Sequence, residues 1–169
     1  GGGDWAKDRI VPDCVRAWSN GESVQIRSPN ATRPWQHVLE PLSGYLHLAA
    51  NLSKDIKFHG EAYNFGPLSQ NNHSVADLIN EMSEYWENVK WEDVSDTENK
   101  FYEAGLLKLN CDKALMHHRW LPTLNFEQTV RMTTEWYKKF YASESMQNFS
   151  LSQIDEYCNF AIDNKIDWA

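Results

Sequence analysis

No glycine-rich nucleotide loop occurs in this sequence. Gly1-Gly2-Gly3 is followed only by five scattered glycines, so neither a dinucleotide fingerprint nor a P-loop can be laid on the chain. No Tyr stands four residues before a Lys and no G-x-S-x-G elbow is present. Two common routes to redox and hydrolytic chemistry are thereby missing. Cysteine is scarce: Cys14, Cys111 and Cys158 are far apart, with no C-x-x-C spacing, which reads as reduced, buried thiols of a cytoplasmic protein. Positive charge is short as well. Sixteen Lys and Arg face 24 Asp and Glu, a net charge of -8, and no basic block appears. A nucleic-acid partner is therefore not expected. No apolar run approaches the roughly 18 residues of a membrane span, and no signal-peptide pattern is seen. His117 and His118 are adjacent, so on a helix they diverge by about 100°. No Cys or carboxylate at a ligand spacing rescues them as a metal pair.

What is present is aromatic mass, with eight Trp, seven Tyr and seven Phe among 169 residues. That suffices for one domain with a substantial core. The pattern predicts a mixed α/β chain, helix-rich with short strands. Asp8 to Asn20 reads as a helix with Pro12 in its first turn. Ser23 to Arg27 reads as a strand with Val24 and Ile26 on one face, and Trp35 to Val38 as a second. Pro41 to Ser53 is helical and broadly apolar, and Glu61 to Phe65 is a strand stopped by Gly66-Pro67. Ser74 caps a helix to about Trp86. Val89 to Val94 and Leu106 to Leu109 are strand candidates. Asn110 precedes a helix from Cys111 to His118, and Asn125 or Thr123 another from Phe126 to Tyr141. After a polar joint at 143–148, Leu151 to Asn164 is a final helix with Ile154, Tyr157, Cys158 and Ala161 inward.

Arg33 is the foremost candidate for function. It ends a polar loop and begins Arg33-Pro34-Trp35-Gln36-His37-Val38-Leu39-Glu40-Pro41, and a guanidinium held there presents a rigid donor fork suited to phosphate. Lys7 and Arg9 near a helix start could meet the same anion. Ile26 and Arg27 could hold a flat ring between an apolar side chain and a guanidinium plane. Trp35 suits a core anchor better than a stacking platform, and His37 a structural role better than that of a base. Glu103 is an acid just before Leu106-Leu107. From the residues alone each has a plain alternative as a solvated or ion-paired side chain.

Taken in order, these segments resemble a known family. Gly1 to Trp5, Asp8-Arg9-Ile10-Val11-Pro12-Asp13, Arg33 to Leu42, Gly60-Glu61-Ala62-Tyr63-Asn64-Phe65-Gly66, Glu103-Ala104, Leu107 to Asn110, Lys113-Ala114 and Trp120-Leu121-Pro122 are similar to the C-terminal half of the CDP-glucose 4,6-dehydratases. That family lies within the extended short-chain dehydrogenase/reductase group. The resemblance implies a substrate-binding lobe spanning 1–169 with most of the Rossmann core missing, and 41–66 packed on an absent NAD-binding domain. It implies NAD and CDP-glucose as cofactor and substrate of the whole enzyme, no metal, and a homodimer. The implied reaction oxidises C4 of the glucose, expels water across C5–C6 and returns hydride to C6, giving CDP-4-keto-6-deoxyglucose. No catalytic residue of that reaction falls in the chain.

Carried over by position, Arg33 falls on the pyrophosphate and Asp8 and Arg9 open a helix lining the nucleotide pocket. Ile26 and Arg27 lie beside the base, and Lys100 or Glu103 gives a second phosphate or ribose contact. Tyr102 and Arg119 depart from the family pattern, where His and Gly are usual. Two other readings stay open: an epimerase or reductase of the same group, or a stand-alone sugar-nucleotide-binding module. A chain cut from its Rossmann half is expected to self-associate through Tyr45, Leu48, Ala49 and Leu52.

Overall fold

A computed structural model of the chain describes residues 1–95 and 105–169. Helix α1, Ile10–Ser19, follows from Cys14, Val15 and Trp18 recurring on one face, all of them buried. It enters from an extended Arg9 with no side-chain cap. Strand β1, Val24–Ile26, buries Val24 and Ile26 and exposes Gln25, the alternation of a one-sided strand. β2 is Thr32–Arg33, and the chain then turns into α2, Leu39–Leu52. A 3₁₀ turn at Ile56–Phe58 follows. β3, His73–Ser74, leads into α3, Val75–Ser83. A reciprocal capping box fixes that start: the Asp77 N–H donates to Ser74 Oγ at 3.0 Å, and the Ser74 N–H to Asp77 Oδ2 at 2.8 Å.

β4, Trp91–Asp93, then α4, Asp112–His118, α5, Phe126–Tyr141, and α6, Met146–Asp163, complete the described elements. β1 and β4 pair in parallel, Val24 opposite Trp91, while β2 and β3 pair antiparallel, Arg33 opposite His73. The Trp18 indole N–H donates to the Lys90 carbonyl at 2.9 Å, tying α1 to the head of β4. The main core joins the inner faces of α1, β1, α3 and α5: Val15 and Trp18, Ile26, Ile79 and Met82, Tyr137. A second cluster holds Phe65, Ala114 and Trp120, and a third Leu124, Met132 and Tyr157.

Several sequence expectations are corrected. Trp35 to Val38 is not a strand; the pairing falls three residues earlier, because β3 supplies partners only for Thr32 and Arg33. Glu61 to Phe65 is irregular chain, with no strand beside it among the described residues. Leu106 to Leu109 contributes a single bridge, Leu106 to Thr32. α6 starts at Met146, so the second half of the polar joint is helix, and Ile154 and Cys158 lie on its outer face. Cys158 is thus exposed rather than buried.

Glycine is needed at Gly44. A Cβ there would come within 2.4 Å of the Phe65 ring, so its absence lets the 60s segment lie directly on α2. The other face of α2 stays uncovered: Leu42, Tyr45 and Leu46 are 45%, 58% and 74% exposed. Leu48 and Leu52 are half-buried, which narrows the expected apolar face. No helix among the described residues is long and apolar enough to cross a membrane.

Candidate functional site: a cleft between the α1 start and Arg33

A cleft of about 590 Å³ opens between the start of α1, the Arg33–Gln36 segment and the facing sides of α3 and α5. It brings Asp8, Arg9 and Arg33 together from two segments more than 20 residues apart in sequence. β2 positions Arg33 by pairing it with His73, and one guanidinium nitrogen donates to the Thr32 carbonyl at 2.8 Å. Trp35 closes the same corner: its indole N–H donates to the His73 carbonyl at 2.9 Å. The His73 ring lies flat on Phe126, 3.7 Å between centroids. Arg9 is exposed and sits 3.6 Å from Asp4. Ile10, Val11 and Pro12, the uncapped first turn of α1, line the wall beside it. Two guanidinium groups and a helix start face one space, the arrangement an anion needs. Asp4 and Asp8 line that space too.

The opposite wall is apolar, with Val75, Leu78, Met82 and Val130. The Tyr137 hydroxyl borders it but is committed, donating to the Asp4 carbonyl at 2.6 Å. Burial pushes that phenol up to about 12, so it is no proton carrier at neutral pH. Two buried polar atoms of residues on the cleft's lining, Gln36 Oε1 and Thr134 Oγ1, have no hydrogen-bond partner among the described residues. Sequence reading missed both, and isolated Gln and Thr carry no pattern that would reveal them.

Ile26 and Arg27 lie in an adjoining recess of about 160 Å³, which shares Asp8, Ile10 and Val75 with the cleft. Five of the seven sequence-derived site residues thus meet in two connected spaces. Lys100 and Glu103 lie outside the described residues. Lys7 does not line either space. His37 is a structural residue. It is buried and accepts a hydrogen bond from the Leu39 N–H at Nδ1, 3.3 Å, and burial pushes it down to about 3.

Glu40 is the polar residue the sequence reading passed over. It is 1% exposed. The Thr123 N–H donates to both its oxygens at 3.0 Å, the Leu124 N–H to Oε1 at 2.7 Å and the Tyr157 hydroxyl to Oε2 at 2.9 Å. It pins α2 to the 123–124 turn and to α6. The segment that carries Arg33 and Trp35 leads directly into this anchor.

Among the described residues no group of three or more His, Cys, Asp or Glu side chains is placed to hold a metal. His117 instead shares a 3.0 Å hydrogen bond with the Tyr63 hydroxyl, and His118 packs between Phe58 and Tyr63.

The fold is that of the corresponding part of extended short-chain dehydrogenase/reductases. UDP-glucuronic acid 4-epimerase from Bacillus cereus, solved with UDP-glucuronic acid and NAD, superposes with a TM-score of 0.64 at 15% identity, over 79% of this chain and 41% of that one. A mutant of the same epimerase with UDP-4-deoxy-4-fluoro-glucuronic acid and NAD gives 0.63, also at 15% identity and with the same shares of each chain. Within that class the sequence aligns with CDP-glucose 4,6-dehydratase of Salmonella typhimurium strain LT2. It is 40% identical over 158 residues, 93% of this chain and 44% of that enzyme. The motif resemblance holds: the chain matches a C-terminal stretch of a protein about twice its length. No protein-family model matches it.

Proposed function

We propose that this chain is the sugar-nucleotide-binding part of an NAD-dependent dehydratase that converts CDP-glucose to CDP-4-keto-6-deoxyglucose. The observation that carries the reading is the convergence of Arg9, Arg33 and the uncapped α1 start on one cleft. The 40% identity to a CDP-glucose dehydratase supports the choice of substrate. In this reading Arg33 and Arg9 neutralise the pyrophosphate, and Ile26 and Arg27 flank the base in the recess. Lys100 or Glu103 adds a further phosphate or ribose contact. The hexose lies toward the Gln36 and Thr134 side of the cleft.

NAD does not fit the residues present. The sequence has no glycine-rich phosphate loop, so holding the cofactor falls to other polypeptide. The stretch 41–66, which includes the exposed face of α2, packs on that NAD-binding part. The residues of this chain bind and orient the substrate, and the chain alone is inactive. The likeness to epimerases favours a second reading, a different sugar-nucleotide enzyme of the same fold.

Titration calorimetry of the 169-residue chain with CDP and CDP-glucose tests the proposal. A charge-assisted hydrogen bond contributes roughly 1.5–3 kcal/mol, so Arg33→Ala is expected to weaken binding about tenfold or more. Equal affinity in both proteins would remove Arg33 from the site.

A further inference from the structure

One residue gathers several ties around Arg33. His73 stands opposite Arg33 in the β2–β3 pair, and its carbonyl accepts the Trp35 indole N–H at 2.9 Å. Its ring lies on Phe126, 3.7 Å between centroids and 8° from parallel. That contact crosses from β3 to the first residue of α5. The α5 start is itself fixed: the Gln128 N–H donates to Asn125 Oδ1 at 2.8 Å, and the Asn125 N–H to Gln128 Oε1 at 2.9 Å. Just before it, the Thr123 and Leu124 N–H groups hold Glu40. A ladder of two residues adds little stability of its own, and a slip of one residue would turn Arg33 to the other face. Backbone bonds extend the pairing, from the Val75 N–H to the Ala31 carbonyl at 3.0 Å and from the Thr32 N–H to the Gly105 carbonyl at 2.9 Å. The His73 ring fastens that backbone pairing to α5.

We infer that His73 is a positioning residue: its ring, clamped on Phe126, sets where the Arg33 guanidinium stands in the cleft. The inference rests on the reading of that cleft as a sugar-nucleotide site. His73 is not among the residues lining the cleft, so it acts through its neighbours. The route is short. One guanidinium nitrogen of Arg33 donates to the Thr32 carbonyl at 2.8 Å, so the direction of the side chain follows β2. A guanidinium on a fixed strand loses little freedom when an anion arrives. One on a loose strand must be ordered first, and that cost comes out of the affinity. Trp35 shares the dependence, because its indole bond ends on the His73 carbonyl. What matters is a flat ring on Phe126, so another aromatic ring can serve in its place and an alanine cannot.

Titration calorimetry with CDP tests this through a cycle of variants of the full 169-residue chain. His73→Ala is expected to weaken CDP binding about three- to tenfold, the scale of one aromatic pair. Phe126→Leu keeps apolar bulk at the α5 start, removes the facing ring and should lose as much. It also covers the case in which His73→Ala fails to fold. His73→Phe restores a ring and should bind within about twofold of wild type. The double variant separates positioning from a general loss of stability. With Arg33→Ala in place there is no guanidinium to position, so adding His73→Ala should change affinity by less than about twofold. An additive loss in that double variant overturns the inference. So does wild-type affinity in a folded His73→Ala or in Phe126→Leu, and so does a His73→Phe chain that binds no tighter than His73→Ala. In each of those cases a loss in Arg33→Ala still stands, and the cleft reading survives. Arg33→Ala binding CDP as tightly as wild type, or no CDP binding by wild type, strikes down the cleft reading, and the inference falls with it.

Discussion

Removing Glu40 tests whether the segment that carries Arg33 and Trp35 is held from behind by one carboxylate. Glu40→Ala leaves the Thr123 and Leu124 N–H groups without their acceptor in a site 1% exposed. Each buried donor left unpaired costs about 1–3 kcal/mol. The Tyr157 hydroxyl suffers less, because Ser43 Oγ stands 3.0 Å away as a second acceptor. With the cavity left by the side chain, the loss should reach about 3–5 kcal/mol. That is a large share of the roughly 5–15 kcal/mol stability of a domain. At an ordinary urea slope it lowers the midpoint by roughly 1.5–2.5 M. Urea unfolding followed by tryptophan fluorescence measures this, with Tyr157→Phe as a control expected to cost no more than about 1 kcal/mol. A Glu40→Ala chain within 0.5 kcal/mol of wild type would refute the anchor, on the roughly ±0.5 kcal/mol scale of neutral surface changes.

The same carboxyl gives a sign to check against pH. Burial lifts its pKa above 4.5, although the Leu124 and Thr123 N–H groups and the Tyr157 hydroxyl pull it back. A raised folded pKa favours the protonated form in the folded chain. The stabilisation relative to Glu40→Gln is therefore full below the unfolded value and shrinks as pH rises through the folded one.

Three further outcomes are expected. Arg119 ends α4 at φ 53°, a left-handed position where glycine is at ease, and its 3.5 Å pair with Asp167 is largely exposed. Arg119→Gly should therefore stabilise the chain by about 0.5–1 kcal/mol in the same urea assay, and destabilisation would contradict the strain argument. Burial lowers the pKa of His37 to about 3, and that of His118 below 6.5. A depressed folded pKa gives stability that is full above the unfolded value and lost as pH falls through the folded one, so thermal melts should weaken below about pH 6.5 by up to about 1.4 kcal/mol per pH unit per proton. A flat profile from 7 to 5 refutes this. Leu42, Tyr45 and Leu46 leave an apolar face on α2, so sedimentation should show concentration-dependent association that Leu46→Glu relieves; a monomer throughout would refute it.

Much of the helical frame is legible because its signals are local. Ser74 and Asn125 each stand three residues before a side chain that completes a capping box, and both boxes form. Val24 and Ile26 alternate as a half-buried strand should. The failures are non-local. β2 exists because His73 and Ser74 arrive beside Thr32 and Arg33 from 40 residues away, and nothing near Arg33 announces that. The 143–148 segment reads as a joint because its residues are polar, yet polarity also suits the outer face of a helix. Periodicity points Ile154 inward, but Gln153 takes the buried position, with its amide donating to the Met132 carbonyl at 2.6 Å. Motif order singles out Asp8, Arg9, Ile26, Arg27 and Arg33. Glu40 stays hidden because an acid in a first helical turn usually serves the helix dipole from the surface. Here the turn at 123–124 supplies the N–H groups instead.

In the proposed role an acidic chain seats a dianion, so a local field must act against the global one. The net charge is -8, and Asp4 and Asp8 stand in the cleft itself. Distant carboxylates matter little, since exposed charges beyond a Debye length of about 10 Å at 0.1 M salt are largely screened. The near ones matter more, and here they are managed differently. Asp4 is occupied: Oδ1 accepts from the Ala6 N–H at 2.9 Å and Oδ2 faces Arg9 at 3.6 Å. Seating a phosphate beside Arg9 therefore means loosening an exposed ion pair, a change of only about 0–1 kcal/mol. Asp8 has no such partner, and next to phosphate it would be a liability. It lines both the cleft and the adjoining recess. Of the two acids, Asp4 is the one that holds an arginine in place.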